Sequence, residues 1–140
     1  MPSVLCRLES RASHGQLIDD GSVGKCLVAA LAHPEASFNR AVIVQSFVTT
    51  PNAVLAEFEK QTGGEPWAVT HIPLEELKKR EKDAWASGSP VATVFTLRRI
   101  WAEGGTLYDT TDNEAIGLAP RDMESLETAV RRAIESKGRF

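Results

Sequence analysis

From Ala41 to Val48 the chain is apolar apart from Gln45 and Ser46, rich in β-branched residues and too short for a free-standing helix, which predicts a buried strand. A strand apolar on both faces needs a layer above and a layer below, the arrangement in which α/β proteins cover parallel sheets with helices. Thr49, Thr50 and Pro51 then change the period. Thr50 suits a helix N-cap, and Pro51 suits the first helical position, where its missing N–H costs nothing. The helix that follows places Val54, Leu55 and Phe58 on its buried stripe and Glu57, Glu59 and Lys60 in water. The pair Gly63-Gly64 supplies the left-handed residue that ends it.

Elsewhere the pattern is mostly helical. Residues 1–21 read as an irregular N-terminal segment with a short strand candidate at Val4–Leu8 and loop residues from His14 to Gly21. Val23, Cys26, Leu27, Ala30 and Leu31 recur at helical spacing up to His33-Pro34. Trp67–Ile72 alternates as a second strand. A helix opening at Pro73 or Leu74 follows, with Leu74, Leu77, Glu81, Ala84 and Trp85 along one side and oppositely charged pairs on the other. Ser87-Gly88-Ser89-Pro90 breaks it. The next helix, Val91 to Ala102, is apolar around most of its circumference, which predicts burial or a pocket wall. Gly104-Gly105 ends it, Thr106–Tyr108 reads as a short strand, and Asp109–Arg121 as a long polar loop. A last helix from Asp122 to Glu135 buries Met123, Leu126, Val130, Ala133 and Ile134, with Asp122 at its positive end.

Composition narrows the function classes. The 140 residues make about one domain, with ordinary hydrophobic (42%) and charged (25%) fractions. Sixteen basic against nineteen acidic residues form no basic block and no acidic tail, so no nucleic-acid or membrane-surface role is expected. Cys6 and Cys26 make no disulfide framework, and the first twenty residues carry no apolar signal core. The expected location is cytoplasmic.

The strand AVIVQSF, the cap and helix TTPNAVLAEFEKQTGG, the segment EPWAVTHIPLEELKKREKDAW and the aromatic, glycine-bearing FTLRRIWAEGGTLYD follow one another in an order and spacing that resemble the C-terminal part of the NmrA-like family. These are atypical short-chain dehydrogenases that include the fungal isoflavone-reductase-like proteins. The resemblance runs from about Val23 to Ala133. It implies an α/β fold corresponding to the C-terminal portion of a Rossmann-type NAD(P)-binding fold, with substrate-side helices over residues 22–140 and without the N-terminal glycine-rich half. The implied family activity is NAD(P)H-dependent oxidoreduction of a small molecule, and the expectation is a truncated chain that is not catalytic alone. A non-catalytic dinucleotide-sensing or regulatory module is the other reading. NADP is the cofactor implied for the full-length family, and none is expected on this chain.

The residues themselves agree with that division. A dinucleotide site needs a strand, a glycine-rich turn and a helix N-terminus, and no GxGxxG occurs. Gly24-Lys25 fails as a phosphate loop, because Asp19 replaces the first glycine and Cys26 the magnesium-binding hydroxyl. Tyr108 has Asp112, not Lys, four residues on, so no tyrosine–lysine proton donor forms. In the family the catalytic lysine and the cofactor loop lie in the N-terminal part, so neither transfers to a residue here. His14, His33 and His71 stand alone and read as surface or capping residues. The stretch from Asp109 starts like a calcium loop but has Glu114 and Pro120 where Gly and Glu are required. Asp19-Asp20 and Glu75-Glu76, being sequence neighbours, read as solvated.

One substrate-binding group remains: Phe95, Arg98, Trp101 and Tyr108 join apolar bodies to polar tips near a double glycine, a composition suited to a small, partly aromatic ligand. The same residues also read as core packing. Because the strand Ala41–Val48 has few sheet neighbours in the chain, an oligomer or partner covering the sheet edge is expected.

Overall fold

A computed structural model describes residues 5–8, as backbone, and 14–136. The protein is mixed α/β: β1 (Leu5–Leu8), β2 (Gly15–Leu17), α1 (Asp20–Ala32), α2 (Pro34–Ser37), β3 (Phe47–Thr49), α3 (Pro51–Gln61), β4 (Val69–Ile72), α4 (Leu74–Ala86), α5 (Ala92–Ala102) and α6 (Leu126–Ser136), with a 3-10 turn at Pro120–Asp122. Two compact units share the chain. One holds β1 and Thr50–Leu107, the other Gln16–Thr49 and the residues from Tyr108 onward.

In the first unit β1 and β4 pair in parallel, with Leu5 opposite Val69 and Leu8 opposite Ile72. The buried Ile72 and Leu77 form its core, and Leu74, Phe95 and Ala102 pack against them. Helix α3 starts as its sequence dictates. The Thr50 hydroxyl accepts the Ala53 N–H at 3.1 Å, Pro51 is the first helical residue, and Gly63 and Gly64 take φ of 107° and 81° so that Gly64 N–H can reach the Glu59 carbonyl. The α3 face then meets its own exit, with the Phe58 and Trp67 rings 5.5 Å apart. Along α4 the expected pairs form, Lys78 with Glu75 and Arg80 with Glu76, and Glu81 bridges to Arg99 of α5 at 2.5 Å.

Several expectations need correction. The strand read over Ala41–Val48 is extended and ladder-bonded only at Phe47–Thr49, where β3 joins β2 in a second two-stranded sheet. Its first half is claimed by side chains. Asp112 takes the Ile43 N–H, and Asn113 takes both the N–H and the carbonyl of Gln45, so these backbone groups are satisfied without a neighbouring strand. Helix α5 is not largely buried: Ala92 is enclosed, but Leu97 is 60% exposed. Trp85 does not pack in the α4 core either; its indole N–H donates to Thr96 Oγ1 at 3.0 Å and its ring faces solvent. Thr106–Tyr108 is not a strand: Thr106 lies in the turn that contains Gly104 at φ 78°, closed by the Leu107 N–H on the Gly104 carbonyl, and Leu107 and Tyr108 have no regular structure.

In the second unit Asp122 does not open the last helix. It caps the 3-10 turn through the Ala119 N–H at 2.9 Å, and Ser125 caps α6 instead, accepting the Thr128 N–H. The loop read as polar encloses the fully buried Ile116, set by a helical turn in which Ile116 N–H bonds to the Asp112 carbonyl. The stretch read as irregular at the amino end contains β1 and β2 among its described residues. The strand expected at Val4–Leu8 is described as backbone only, over Leu5–Leu8.

Candidate functional site

Phe95, Arg98 and Trp101 recur every three residues along α5, in the first unit, whereas Tyr108 belongs to the second. Phe95 is half-buried against the Ile72–Leu77 core, which is a packing role. Arg98 is half-buried and makes no ion pair among the described residues. Trp101 is wedged against the backbone of Gly15: a Cβ there would lie 2.3 Å from Trp101 Nε1 and 2.7 Å from Thr106 Oγ1, and neither polar atom has a partner among the described residues. Tyr108 is half-exposed, and its carbonyl accepts from Gln16 Nε2 at 2.9 Å. Three of the four residues therefore share one helix, and one of those three is committed to the core.

A second group, of distant sequence origin, gathers in the other unit. Asp19 N-caps α1, its carboxylate accepting the Ser22 N–H at 2.9 Å and the Ser46 hydroxyl at 2.8 Å. Arg132, on α6, holds Glu124 at 2.6 Å and lies 3.6 Å from Asp19. The Asp19 side chain is 12% exposed and that of Glu124 9%. Burial pushes the Asp19 carboxyl up, but hydrogen bonds with Glu124, Ser22 and Ser46 overcome it and hold the group well below the ordinary carboxylate range. The Glu124 carboxyl is raised, by its hydrogen bond with Asp19 first and by burial second, against the pull of Arg132. The two carboxyls are thus pushed apart, Asp19 toward its charged form and Glu124 toward its protonated one. Open grooves of about 360 and 380 Å³ flank it.

The rest of α1 is inert. Cys26 is buried, and burial first, then the charge of Asp19, raises its thiol, which leaves it a packing residue and not a nucleophile. Gly24-Lys25 lies inside the helix, with Lys25 Nζ donating to the Asp122 carbonyl at 3.0 Å. His33 Nδ1 donates to the Ala29 carbonyl at 2.9 Å, and the ring sits over Gly117, where a Cβ would come within 2.8 Å of it. No group of three His, Cys, Asp or Glu side chains able to hold a metal ion occurs among the described residues. No helix among them is long and apolar enough to cross a membrane.

No family model matches the chain. It is 25% identical over 132 residues to oxidoreductase aprR of Aspergillus flavus. The likeness is to an oxidoreductase, and it is distant. The match takes in 84% of this chain and 44% of aprR, so the chain spans less than half the length of the curated relative it matches.

Sequence reasoning missed the Asp19–Glu124–Arg132 group. Asp19 carries a legible signal, an aspartate directly before a helical period. Nothing in the spacing pairs it with Arg132 and Glu124, because Arg132 meets both carboxylates only once α6 is packed beside the start of α1.

Proposed function

We propose that the chain is the substrate-side part of an NmrA-like, isoflavone-reductase-like oxidoreductase, whose whole polypeptide would use NAD(P)H to reduce a small molecule. One observation carries this reading: the similarity to a fungal oxidoreductase runs over 84% of the chain. It agrees with the order of segments from AVIVQSF to FTLRRIWAEGGTLYD, which resembles the C-terminal part of that family. On this reading the cofactor loop and the catalytic lysine are supplied outside these 140 residues, NADP binds there, and the protein works in the cytoplasm. Arg98 and Trp101 on α5 would face the substrate, and Phe95 would support the wall behind them.

A regulatory, non-catalytic module is the second reading. It is favoured by Asp112 standing where a tyrosine–lysine pair would need its lysine, and by the lack of a glycine-rich phosphate turn in the sequence.

Sequencing the transcript upstream of the Met1 codon distinguishes the two. The oxidoreductase reading expects an in-frame strand, glycine-rich turn and helix; an in-frame stop codon in their place would leave the regulatory module standing. Calorimetric titration of NADPH into the 140-residue chain should give no binding heat, and micromolar affinity would show that the cofactor site lies within it.

A further inference from the structure

Helix α1 is apolar on two opposite sides. Ser22 and Cys26 are buried within the second unit, whereas Val23, Leu27 and Leu31 run along the other side in steps of four, from 50% exposed at Val23 to 75% at Leu31. The adjacent row, Gly24, Val28 and Ala32, is exposed as well, and a Cβ on Gly24 would meet nothing within 4 Å. Between Val23 and Leu31 the only charged residue is Lys25, whose Nζ is drawn off to the Asp122 carbonyl. A helix apolar all round belongs inside a structure. With Phe38, exposed at the end of α2, the side chains of Val23, Leu27, Val28 and Leu31 leave roughly 600 Å² of surface in water, the top of the range for the largest apolar patch on a monomer.

We infer that this face docks on the same face of a second copy of the chain, in a two-fold dimer whose two Leu27 side chains meet at the axis. Rows four residues apart form the ridges and grooves of the commonest class of helix packing, so the Val23–Leu27–Leu31 ridge fits the groove beside the identical ridge of another copy. A two-fold contact centred on Leu27 sets Val23 of each copy beside Leu31 of the other. An uncharged surface meets itself without repulsion and gives a charged partner nothing to steer on. Two copies bury roughly 1,200 Å² in this way, where the range of specific protein interfaces begins. The inference rests on α1 and its surroundings within one unit, and it stands apart from the oxidoreductase reading.

Sedimentation equilibrium of the full chain should show a reversible dimer of the 15.3 kDa monomer, with a dissociation constant in about the micromolar range. Leu27→Lys and Leu27→Glu, each alone, set like charges against each other at the axis and should weaken the dimer at least tenfold. An equimolar mixture of the two should recover it. Val28→Lys, on the adjacent row, should act in the same direction as the Leu27 variants. Leu97→Lys changes a side chain just as exposed, in the other unit, and should leave the dimer as it is. Circular dichroism matching the parent confirms that each variant has kept its fold. A chain that stays monomeric to about 100 μM overturns the inference and assigns this face to a different polypeptide. An equal effect of Leu97→Lys, a Leu27 mixture that stays monomeric, or assembly beyond the dimer overturns it too.

Discussion

Asp112 and Ile43 bond reciprocally: the Asp112 carboxylate accepts the Ile43 N–H at 2.8 Å, and the Asp112 N–H donates to the Ile43 carbonyl at 2.7 Å. Next along, Asn113 repeats the exchange with Gln45 through its side-chain amide. Two consecutive polar side chains thereby take the place of a neighbouring strand. Arg40 closes the arrangement through its ion pair with Asp112, whose carboxyl is held below its usual range by the Ile43 hydrogen bond first and by Arg40 second.

Removing the Asn113 amide should therefore unpair two half-buried backbone groups at once. Asn113→Ala is expected to cost about 2–4 kcal/mol, the penalty for orphaned buried hydrogen-bonding groups. Urea unfolding with an unchanged slope and a lower midpoint would bear this out. A midpoint within error of the parent would mean that water replaces the amide.

The Asp19–Glu124 pair sets a pH dependence whose two halves have opposite sign. The folded-state Asp19 carboxyl is depressed, so its contribution is present above the unfolded aspartate value and fades as pH falls through the lower folded value. Glu124 is raised above 4.5, so its contribution is full below that value and is lost as pH rises through its folded value. Glu124→Gln, which cannot ionise, should remove the second slope. The thermal midpoint of the parent is expected to drop by about 2–4 °C more than that of the variant between pH 4.5 and pH 7. Parallel curves for the two proteins would show that Glu124 does not carry the proton.

Gly15 tolerates no side chain while Trp101 stands where it does. Gly15→Ala would force the indole or the Thr106 hydroxyl aside and should destabilise by about 1–3 kcal/mol, the usual cost of overpacking. Phenylalanine at position 101 lacks the unpartnered N–H and the wider ring. The double change Gly15→Ala with Trp101→Phe should accordingly cost less than the sum of its parts, measured as a double-mutant cycle by denaturant unfolding. Strict additivity would break the proposed contact.

Helix α1 turns Val23, Leu27 and Leu31, spaced four residues apart, toward solvent, with Leu27 62% exposed. In the other unit, the described part of the β1–β4 sheet is two strands wide. Such surfaces favour association. The chain is expected to sediment as an oligomer or to be marginally stable without a partner, and Leu27→Lys should weaken self-association at least tenfold in equilibrium sedimentation. A clean monomer with a single cooperative unfolding transition would count heavily against this.

How far the sequence could be read depended on the range of the interaction. The N-cap Thr50, the Pro51 start and the Gly63-Gly64 stop of α3 are local, and they form as read. The same holds for the ion pairs of α4, where three- and four-residue spacing suffices. Failure came where a distant partner decides. Ala41–Val48 has strand composition, but Asp112 and Asn113 compete for its backbone, and no window around residue 43 contains them. Ile116 sits in a run of Asp, Asn, Gly and Pro and is still fully enclosed, because one helical turn aims it inward. At the candidate sites, Phe95, Arg98 and Trp101 fall on the one helix that their spacing indicates, and Tyr108 belongs to the other unit. The Asp19–Glu124–Arg132 contacts are products of tertiary assembly and left no periodic trace.

The Asp112–Asn113 substitution for a strand also bears on misfolding. Ile43 and Gln45 belong to a β-branched, uncharged run of the kind that templates cross-β growth when its edge is free. While the 112–113 turn is in place, these groups have no open valence for an incoming chain. Growth of fibrils from this segment would have to wait for that turn to open, so the lag before aggregation should track local opening of residues 111–118 more closely than global unfolding.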